Sequence, residues 1–305
     1  MNLLLEKCAF PEEACEFFRD LADRLISDGY EGEFDSIVDE YITSKCHTDM
    51  IEEKLKEFAA KAGGSVYTYW ILLLILAAEQ AKPLYDKRGV PEEVFWDTFS
   101  DLKCKALECK EIKGVWGTFV AGWYGLFYLC RIIKFGRLEY QDADYWFDDG
   151  GVYGGVNFTR GQKLLSIHIP SSGEPFDPKA RLESYKMAYD FYTKELGIDY
   201  LPCSCGSWLL YPPYKAAFPE NSNSRSFMDE FEFVSVDDKP GESYEGFGDR
   251  WRVFGGHSEK PLAELPEDTS MRRGFKKYFL DGGIPGSARG ILVFDGEKIL
   301  TWSEK

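Results

Sequence analysis

The residues best suited to chemistry lie together in one stretch of the sequence, LLSIHIPSSGEPFDP, which covers residues 164–178. An apolar run that contains His168 stops at Pro170, small residues follow, and an Asp-Pro pair then opens a helical pattern. The free N–H groups and the dipole at the start of a helix favour negative charge. This order of apolar run, small-residue loop and helix start therefore predicts a site for an anion such as a phosphate.

His168 stands between two isoleucines of the apolar run, so in a strand its ring points to the opposite face, together with Ser166. The pKa of an unperturbed imidazole lies near neutrality, and a histidine here is suited to deprotonating an attacking amine. The alternative is a hydrogen-bonded core histidine without a catalytic role. The sequence leaves both interpretations open.

A second candidate is the pair Cys203 and Cys205, which share one face of the predicted strand DYLPCSCGSWLL, while Ser204 and Gly206 take the other. A nucleophilic cysteine needs a base, and His168 on an adjacent strand is the candidate for a thiol hydrolase or transferase. Two small core residues are the alternative. Because Cys-Ser-Cys lacks the two-residue gap of zinc and redox pairs, no metal site is predicted.

The elements that position these residues fall into two parts. Residues 1–135 are predicted to form an all-helical domain, because apolar residues recur at helical spacing in segments such as PEEACEFFRDLADRLI and SVYTYWILLLILAAEQ. Residues 136–305 alternate between strand and helix patterns. This second part is predicted to be an α/β or α+β domain built on a mixed sheet.

Several elements of the second part have specific signals. A helix is predicted over residues 178–196, with Asp177 as its N-cap and Gly197 as its end. The segments RLEYQDADYWF and KLLSIHI predict the two strands of a β-hairpin around the Gly-rich turn GGVYGGVNFTRGQK, and the Asp-Gly pair in ILVFDGEKILTW predicts the turn of a terminal hairpin. The segment WRVFGG, around Trp251, is predicted to be a further strand.

Composition narrows the classes of partner. A formal net charge of −16 argues against nucleic acid, because a protein that neutralises phosphates needs a basic face. The acidic surface would attract cationic small molecules, with solubility as the alternative explanation. The longest apolar run, WILLLILAA, is about half of the roughly 20 residues that a membrane span needs, so no membrane partner is predicted. The N-terminus lacks the basic region of a signal peptide, which predicts a cytoplasmic protein, and the oligomeric state is left open.

Five segments follow the helical first half in the order GRLEYQ, LLSIHIPSSGEPFDP, CSCGSWLLYPPY, PENSNSRSFMDEFEFV and ILVFDG. This order resembles bacterial two-domain acyltransferase-like proteins, in which a helical N-terminal domain precedes a GNAT-like C-terminal domain. The resemblance covers nearly the whole chain. It implies an N-acyltransferase that uses acetyl-CoA or another acyl-CoA as co-substrate and a small amine, neutral or cationic, as acceptor. In GNAT-type enzymes the pantetheine arm lies between a strand and the parallel neighbour from which it splays.

Applied to this sequence, the resemblance implies that residues 164–169 form the splayed strand and residues 201–208 its neighbour. The implied CoA-binding residues are Ile169, Ser171, Ser172, Gly173, Cys203 and Asn223. The catalytic candidates are His168, Tyr211 and Tyr214, and the candidates for contact with the acceptor are Glu139 and Trp208. Packing is the alternative role for Tyr211, Tyr214 and Trp208, and helix capping is the alternative for Asn223. For Glu139 the favoured interpretation is an exposed strand carboxylate without a contact to the acceptor.

The loop departs from the GNAT pattern. GNAT enzymes usually carry a basic or glutamine residue and a glycine-rich pattern there, whereas this loop is S-S-G-E-P-F-D and brings Glu174 and Asp177 towards the implied phosphates. Carboxylates close to phosphates repel them. The alternative function is therefore a catalytically inactive GNAT-like protein with a ligand-binding or regulatory role.

Overall fold

A computed structural model describes residues 1–302 of the 305-residue chain. The chain divides into two compact units. The first unit contains residues 1–134 and 170–173, and the second contains residues 135–169 and those from 174 onward. The loop at residues 170–173 is thus grouped with the first unit.

The first unit is helical. Within residues 1–134, all of which the structure describes, the α-helices are α1 (Asn2–Lys7), α2 (Glu12–Ser27), α3 (Glu31–Thr43), α4 (Thr48–Ala62), α5 (Val66–Arg88), α6 (Glu92–Phe99), α7 (Asp101–Lys113) and α8 (Gly125–Tyr128). The helical character predicted for the first part is confirmed, but a strand begins at Ile132, inside the range 1–135 that was predicted to be all-helical.

Helix α5 forms the centre of this unit because its N-terminal half is apolar and most of its residues from Thr68 to Ala78 are buried. Ser65 caps its start by accepting a hydrogen bond from the N–H of Tyr67 at 3.2 Å. Helices α3 and α4 pack against it. In the described part of the chain no single helix is both long and apolar enough to cross a membrane; α4 and α5 meet that test only as a pair, with a 113° bend between them.

The second unit is built on a six-stranded sheet in the order β1-β2-β5-β6-β8-β7, beside a separate two-stranded hairpin of β3 and β4. The strands are β1 (Ile132–Phe135), inside which the unit boundary falls, β2 (Leu138–Asp144), β3 (Gly151–Tyr153), β4 (Val156–Phe158), β5 (Lys163–His168), β6 (Leu201–Ser207), β7 (Glu232–Asp238) and β8 (Gly286–Phe294). The helices are α9 (Pro178–Leu196), α10 (Asn223–Met228), α11 (Arg250–Phe254) and α12 (Ser270–Leu280). Strands β5 and β6 are parallel, whereas β2–β5, β6–β8 and β7–β8 are antiparallel, so the predicted mixed sheet is confirmed.

Helix α9 has the predicted ends. The Asp177 carboxylate accepts a hydrogen bond from the N–H of Ala180 at 2.9 Å, and Pro178 occupies the first turn. At the other end Gly197 adopts the left-handed conformation with φ of 68°, which a side chain would strain. Local capping chemistry therefore sets both boundaries of α9.

The two faces of the large sheet are covered by different elements. Helix α9 covers the face that carries the Tyr140 side chain, because the hydroxyl groups of Tyr140 and Ser184 of α9 are 2.8 Å apart. On the opposite face Tyr145, Phe158, Leu164, Ile291 and Val293 form a buried cluster. The two strands predicted around the Gly-rich turn are confirmed as β2 and β5, which are antiparallel. The turn segment itself contains a further hairpin of β3 and β4, which was not predicted, and Phe158 of β4 belongs to this cluster.

Two strand predictions near the C-terminus are wrong. The segment around Trp251 is helix α11, in which Arg252 donates to the carboxylate of Asp249, three residues earlier, at 3.0 Å, a spacing at which side chains meet on a helix. After the Asp-Gly turn, the described residues form only an isolated bridge between Phe294 and Ile299 instead of a terminal strand pair. A short turn suits this segment, since the Asp295 carboxylate accepts the N–H of Lys298 at 2.8 Å.

Candidate functional site

The sheet opens between β5 and β6. These parallel strands pair only at Leu165–Cys203 and Ser166–Ser204. By contrast, β2 and β5 pair at six positions, which continue to Glu139–His168. The last residues of β5 thus keep their partners on β2 but have none in register on β6.

A cavity of about 320 Å³ lies on the sheet face opposite α9, beside this opening. Alternate residues of four strands line it, because every second side chain of a strand points to the same face. The polar lining residues include Gln141 of β2, Ser166 and His168 of β5, Ser204 of β6 and Arg289 of β8. Tyr145, Trp146 and Phe147, from the segment after β2, supply aromatic surface. The cavity is at the lower end of the size range of small-molecule sites.

The structure brings His168 to this cavity and orients its ring. The Nε2 of His168 is 2.9 Å from the side-chain carbonyl oxygen Oε1 of Gln141, which can only accept a hydrogen bond. This contact selects the tautomer with the proton on Nε2 and the lone pair on Nδ1. Burial lowers the pKa of His168 to about 4, so the ring is neutral at physiological pH and able to accept a proton.

Gln141 and Arg289 also line the cavity, and the sequence analysis does not single out either of them. Arg289 lies opposite Gly206 in the register of β6 and β8. Its guanidinium carbon lies 5.3 Å from the centre of the Trp146 ring. The sequence feature that could have identified Arg289 is its position as the single charged residue in the run GSARGILVF, whose other residues are apolar or small.

The two cysteines of β6 point away from His168. Ser204 and Gly206 line the cavity, so Cys203 and Cys205 lie on the α9 face, as the alternation of the strand predicts. Burial raises the pKa of the Cys203 thiol well above its usual range and that of Cys205 to about 12. The structure therefore does not bring a thiolate and the histidine together. Among the described residues, no cluster of three or more His, Cys, Asp or Glu side chains could hold a metal ion.

The predicted anion loop makes contacts of its own. The Ser171 hydroxyl donates to the Glu108 carboxylate, within the first unit. Gly173 has φ of 74° and open space where a side chain would begin, and Ser172 stands beside it. At the start of α9 the Asp177 carboxylate already accepts a helix N–H. An acidic side chain thus occupies a position that an anion would take at this helix end.

Three of the aromatic candidates lie outside the cavity, in an aromatic cluster. Tyr214 packs edge-on against Phe275 at 4.8 Å, and Trp208 packs against the same ring at 5.6 Å. The Tyr211 hydroxyl donates to Asp238 at 2.6 Å, and burial raises its pKa above the ordinary value. All three side chains therefore have the packing role that the sequence analysis gave as the alternative to a functional one.

The remaining candidates lie at the ends of elements. Ile169 directly follows β5 and is half-buried. Asn223 begins α10, where its carbonyl oxygen accepts a hydrogen bond from Arg181 at 3.3 Å, and the Ser222 hydroxyl caps the helix. Glu139 pairs with His168 in the β2–β5 register, and only 2% of its surface is exposed. The sequence had favoured an exposed carboxylate at that position.

Comparisons with known proteins identify both parts of the chain. Residues 1–130 match the family described as the N-acyltransferase N-terminal domain, and residues 132–292 match the family described as the GNAT-like C-terminal domain. A search of curated proteins finds no match.

Solved structures share the fold. An acyltransferase in complex with CoA and 10C-teicoplanin superposes with a TM-score of 0.73 at 19% identity, over 95% of this chain and 86% of the other. An acyltransferase in complex with decanoyl-CoA and teicoplanin gives a TM-score of 0.72 at 20% identity, with the same coverage of both chains. A mutant acyltransferase in complex with octanoyl-CoA gives 0.72 at 19% identity, again over 95% of this chain and 86% of the other.

Proposed function

Because this chain belongs to the two-domain N-acyltransferases, with an N-acyltransferase N-terminal domain and a GNAT-like C-terminal domain, we propose that it transfers an acyl group from acyl-CoA to a small amine. The observation that carries the proposal is the opening between β5 and β6 beside a neutral histidine. A thioester arm in this opening can hydrogen-bond the facing strand edges, as a third strand would.

The chemistry needs few side chains. The amine nitrogen attacks the thioester carbonyl carbon, a C–N bond forms, and the amine proton passes to Nδ1 of His168. The tetrahedral intermediate then collapses, the C–S bond breaks, and the proton moves from the imidazolium to the leaving thiolate. Holding the amine and the thioester together supplies much of the rate, and the histidine adds general-base catalysis. Gln141 positions the imidazole through its contact with Nε2.

A ligand-binding or regulatory protein without turnover is the second candidate function. Two observations favour it: the Asp177 carboxylate caps α9, and Ser171 donates to Glu108. Both place acidic groups at the loop predicted to bind the pyrophosphate of CoA. The contacts of Ser171, Ser172 and Gly173 with CoA stay a prediction.

Thermal unfolding with CoA ligands tests the proposal. CoA at about 100 times its Kd is expected to stabilise the folded protein by ~2.7 kcal/mol and to raise Tm measurably. The thiol of CoA should be released from acetyl-, octanoyl- or decanoyl-CoA only when an amine is present, with the amide detected by mass spectrometry. Stabilisation by acyl-CoA without amide formation from any amine would favour the binding protein, and absence of both effects would contradict both functions.

A comparison of CoA with pantetheine separates the strand opening from the loop. If the loop at residues 171–173 binds the pyrophosphate, CoA is expected to raise Tm more than pantetheine at the same free concentration, because the additional contacts lower the Kd of CoA. Equal stabilisation by the two ligands would leave the opening between β5 and β6 as the binding site and contradict the predicted phosphate contacts.

Alanine replacements of Cys203 and Cys205 test the mechanism. Each variant is expected to keep kcat within about threefold of wild type, because direct transfer does not use a thiol. Both thiols lie on the face opposite His168, with raised pKa values. A rate loss of several orders of magnitude, in a variant with unchanged Tm, would instead indicate an acyl-cysteine intermediate.

A further inference from the structure

Arg289 is a cation in the cavity without an acidic partner. Among the described residues it has neither a hydrogen-bond acceptor nor an ion-pair partner, and its contact is with the face of Trp146. Contact with a ring face leaves the N–H groups at the guanidinium edge available to donate. Trp146 is itself stacked on Phe147, with ring centres 4.2 Å apart and planes at 20° to each other. The guanidinium of Arg289 therefore packs on two stacked aromatic rings.

The guanidinium of Arg289 lies close to Gly206, where the absence of a side chain leaves room for it. A Cβ atom built on Gly206 would lie 3.1 Å from one terminal nitrogen of Arg289 and 3.2 Å from its central carbon. The side chain of Arg289 therefore crosses from β8 over the backbone of β6, towards β5. Because neighbouring strands are ~4.8 Å apart, the guanidinium lies about one strand spacing, or somewhat more where the strands splay, from His168.

The charge of the cavity is opposite to that of the whole chain. Its charged lining residues are Asp144 and Arg289, and the Asp144 carboxylate is paired with Lys163 at 2.7 Å. Since His168 is neutral, Arg289 carries the uncompensated charge of this cavity. The formal charge of the chain is −16, so the surface as a whole does not attract anions, but this cavity does.

We propose that Arg289, held on Trp146 across Gly206, binds a carboxylate of the acyl acceptor, and that the acceptor is therefore an amino acid or a similar small molecule with its amine close to a carboxylate. The inference rests on the proposed function, because it places the acceptor amine at His168. A planar guanidinium binds a carboxylate through two parallel N–H···O bonds. The spacing of about one strand between Arg289 and His168 matches an amine and a carboxylate on the same or adjacent carbons.

A phosphate of CoA is the other anion that Arg289 could bind, and the same experiment distinguishes the two. The acceptors are matched pairs, the common amino acids and their carboxamides, with decanoyl-CoA and acetyl-CoA as donors. For any amino acid that wild type acylates, kcat/KM is expected to be about 10²-fold higher than for the corresponding carboxamide. Arg289→Gln is expected to lose that preference while the KM for acyl-CoA and the rate with the carboxamide stay unchanged.

Arg252→Gln is the matched control, because Arg252 also lies over a tryptophan, Trp251 at 4.2 Å, but does not line the cavity. It should keep the preference. Equal use of carboxylate and carboxamide by wild type would overturn the proposal, and so would a raised KM for acyl-CoA in Arg289→Gln with the preference intact, which would assign the arginine to CoA.

The failure of the proposed function is recognised separately. If no acceptor in the panel is acylated, binding of the same amino acids is measured by the change in Tm at about 10 mM, with and without CoA. Stabilisation of wild type by amino acids but not by their carboxamides, lost in Arg289→Gln, would support the carboxylate site without acyl transfer. No difference between wild type and Arg289→Gln would overturn the site itself.

Discussion

Replacing His168 with glutamine is expected to lower kcat for acyl transfer by roughly 10²–10³-fold, while the KM for acyl-CoA stays within about threefold. His168 lines the cavity at the end of β5, beside the point where β5 and β6 stop pairing. Glutamine removes the proton acceptor but leaves the opening between the strands, so the positioning of the two substrates persists. Single-turnover formation of the amide at saturating acyl-CoA measures the step directly.

Two further variants separate the loss of general-base catalysis from nonspecific structural effects of a substitution. Gln141→Leu keeps the histidine but removes the acceptor of its Nε2 proton, and we expect a kcat about 10-fold below wild type because the ring loses its orientation. His257→Gln changes an exposed histidine of the same unit and should leave kcat unchanged. A His168→Gln enzyme with the kcat of wild type would contradict the assignment of the base.

The lowered pKa of His168 also predicts the pH dependence. After correction for the free-base fraction of the amine, kcat should stay constant from about pH 8 down to about pH 5, because the native imidazole is protonated only near its pKa of about 4. An unfolded chain binds the proton near pH 6.5, so the contribution of this group to stability is complete above that pH and is lost as the pH falls towards 4. A titration of the His168 ring resonance near pH 6.5 in NMR spectra would contradict the buried, neutral state.

Replacing Glu230 with glutamine is expected to lower the free energy of unfolding by ~3–5 kcal/mol, because it leaves a buried arginine without its counter-charge. The Arg181 side chain has no exposed surface, and two of its nitrogens donate to Glu230 Oε1 at 2.9 and 2.6 Å. The Tyr185 hydroxyl donates to the second oxygen at 2.6 Å. Urea unfolding of the purified variant measures the change in free energy.

Replacing Arg181 of the same pair should lower the free energy of unfolding by less. Burial raises the pKa of Glu230, against the charge of Arg181, which lowers it. In Arg181→Met the orphaned carboxyl can therefore take up a proton, whereas an arginine left alone cannot lose one. Arg160→Met, at an exposed pair with Asp148, is the control and should change stability by less than about 1 kcal/mol. Equal, small effects at Glu230 and Arg160 would contradict a structural role for the buried pair.

Features that depend on neighbouring residues in the sequence were predictable. Helix α9 begins and ends where Asp177 and Gly197 predict, because a cap is satisfied by backbone groups a few residues away. The antiparallel strands β2 and β5 on either side of the Gly-rich segment were predicted in the same way, whereas the hairpin of β3 and β4 inside that segment was not. The strand predicted around Trp251 was wrong because a short apolar and aromatic run fits either element, and contacts outside the run, such as the packing of Phe254 on Tyr244, decide between them.

By itself the sequence determined the helical first part, the mixed-sheet second part, the family resemblance and the histidine at the end of a strand. Each of these depends on local patterns of polarity and capping, or on the order of segments along the chain. The tertiary structure decided which side chains share the cavity with His168, since Gln141 and Arg289 come from strands that are distant in sequence and adjacent only through the register of the sheet. It also decided that Tyr211, Tyr214 and Trp208 pack elsewhere and that the cysteines of β6 face α9. Strand order and register depend on contacts across the whole second unit, and no short segment encodes them.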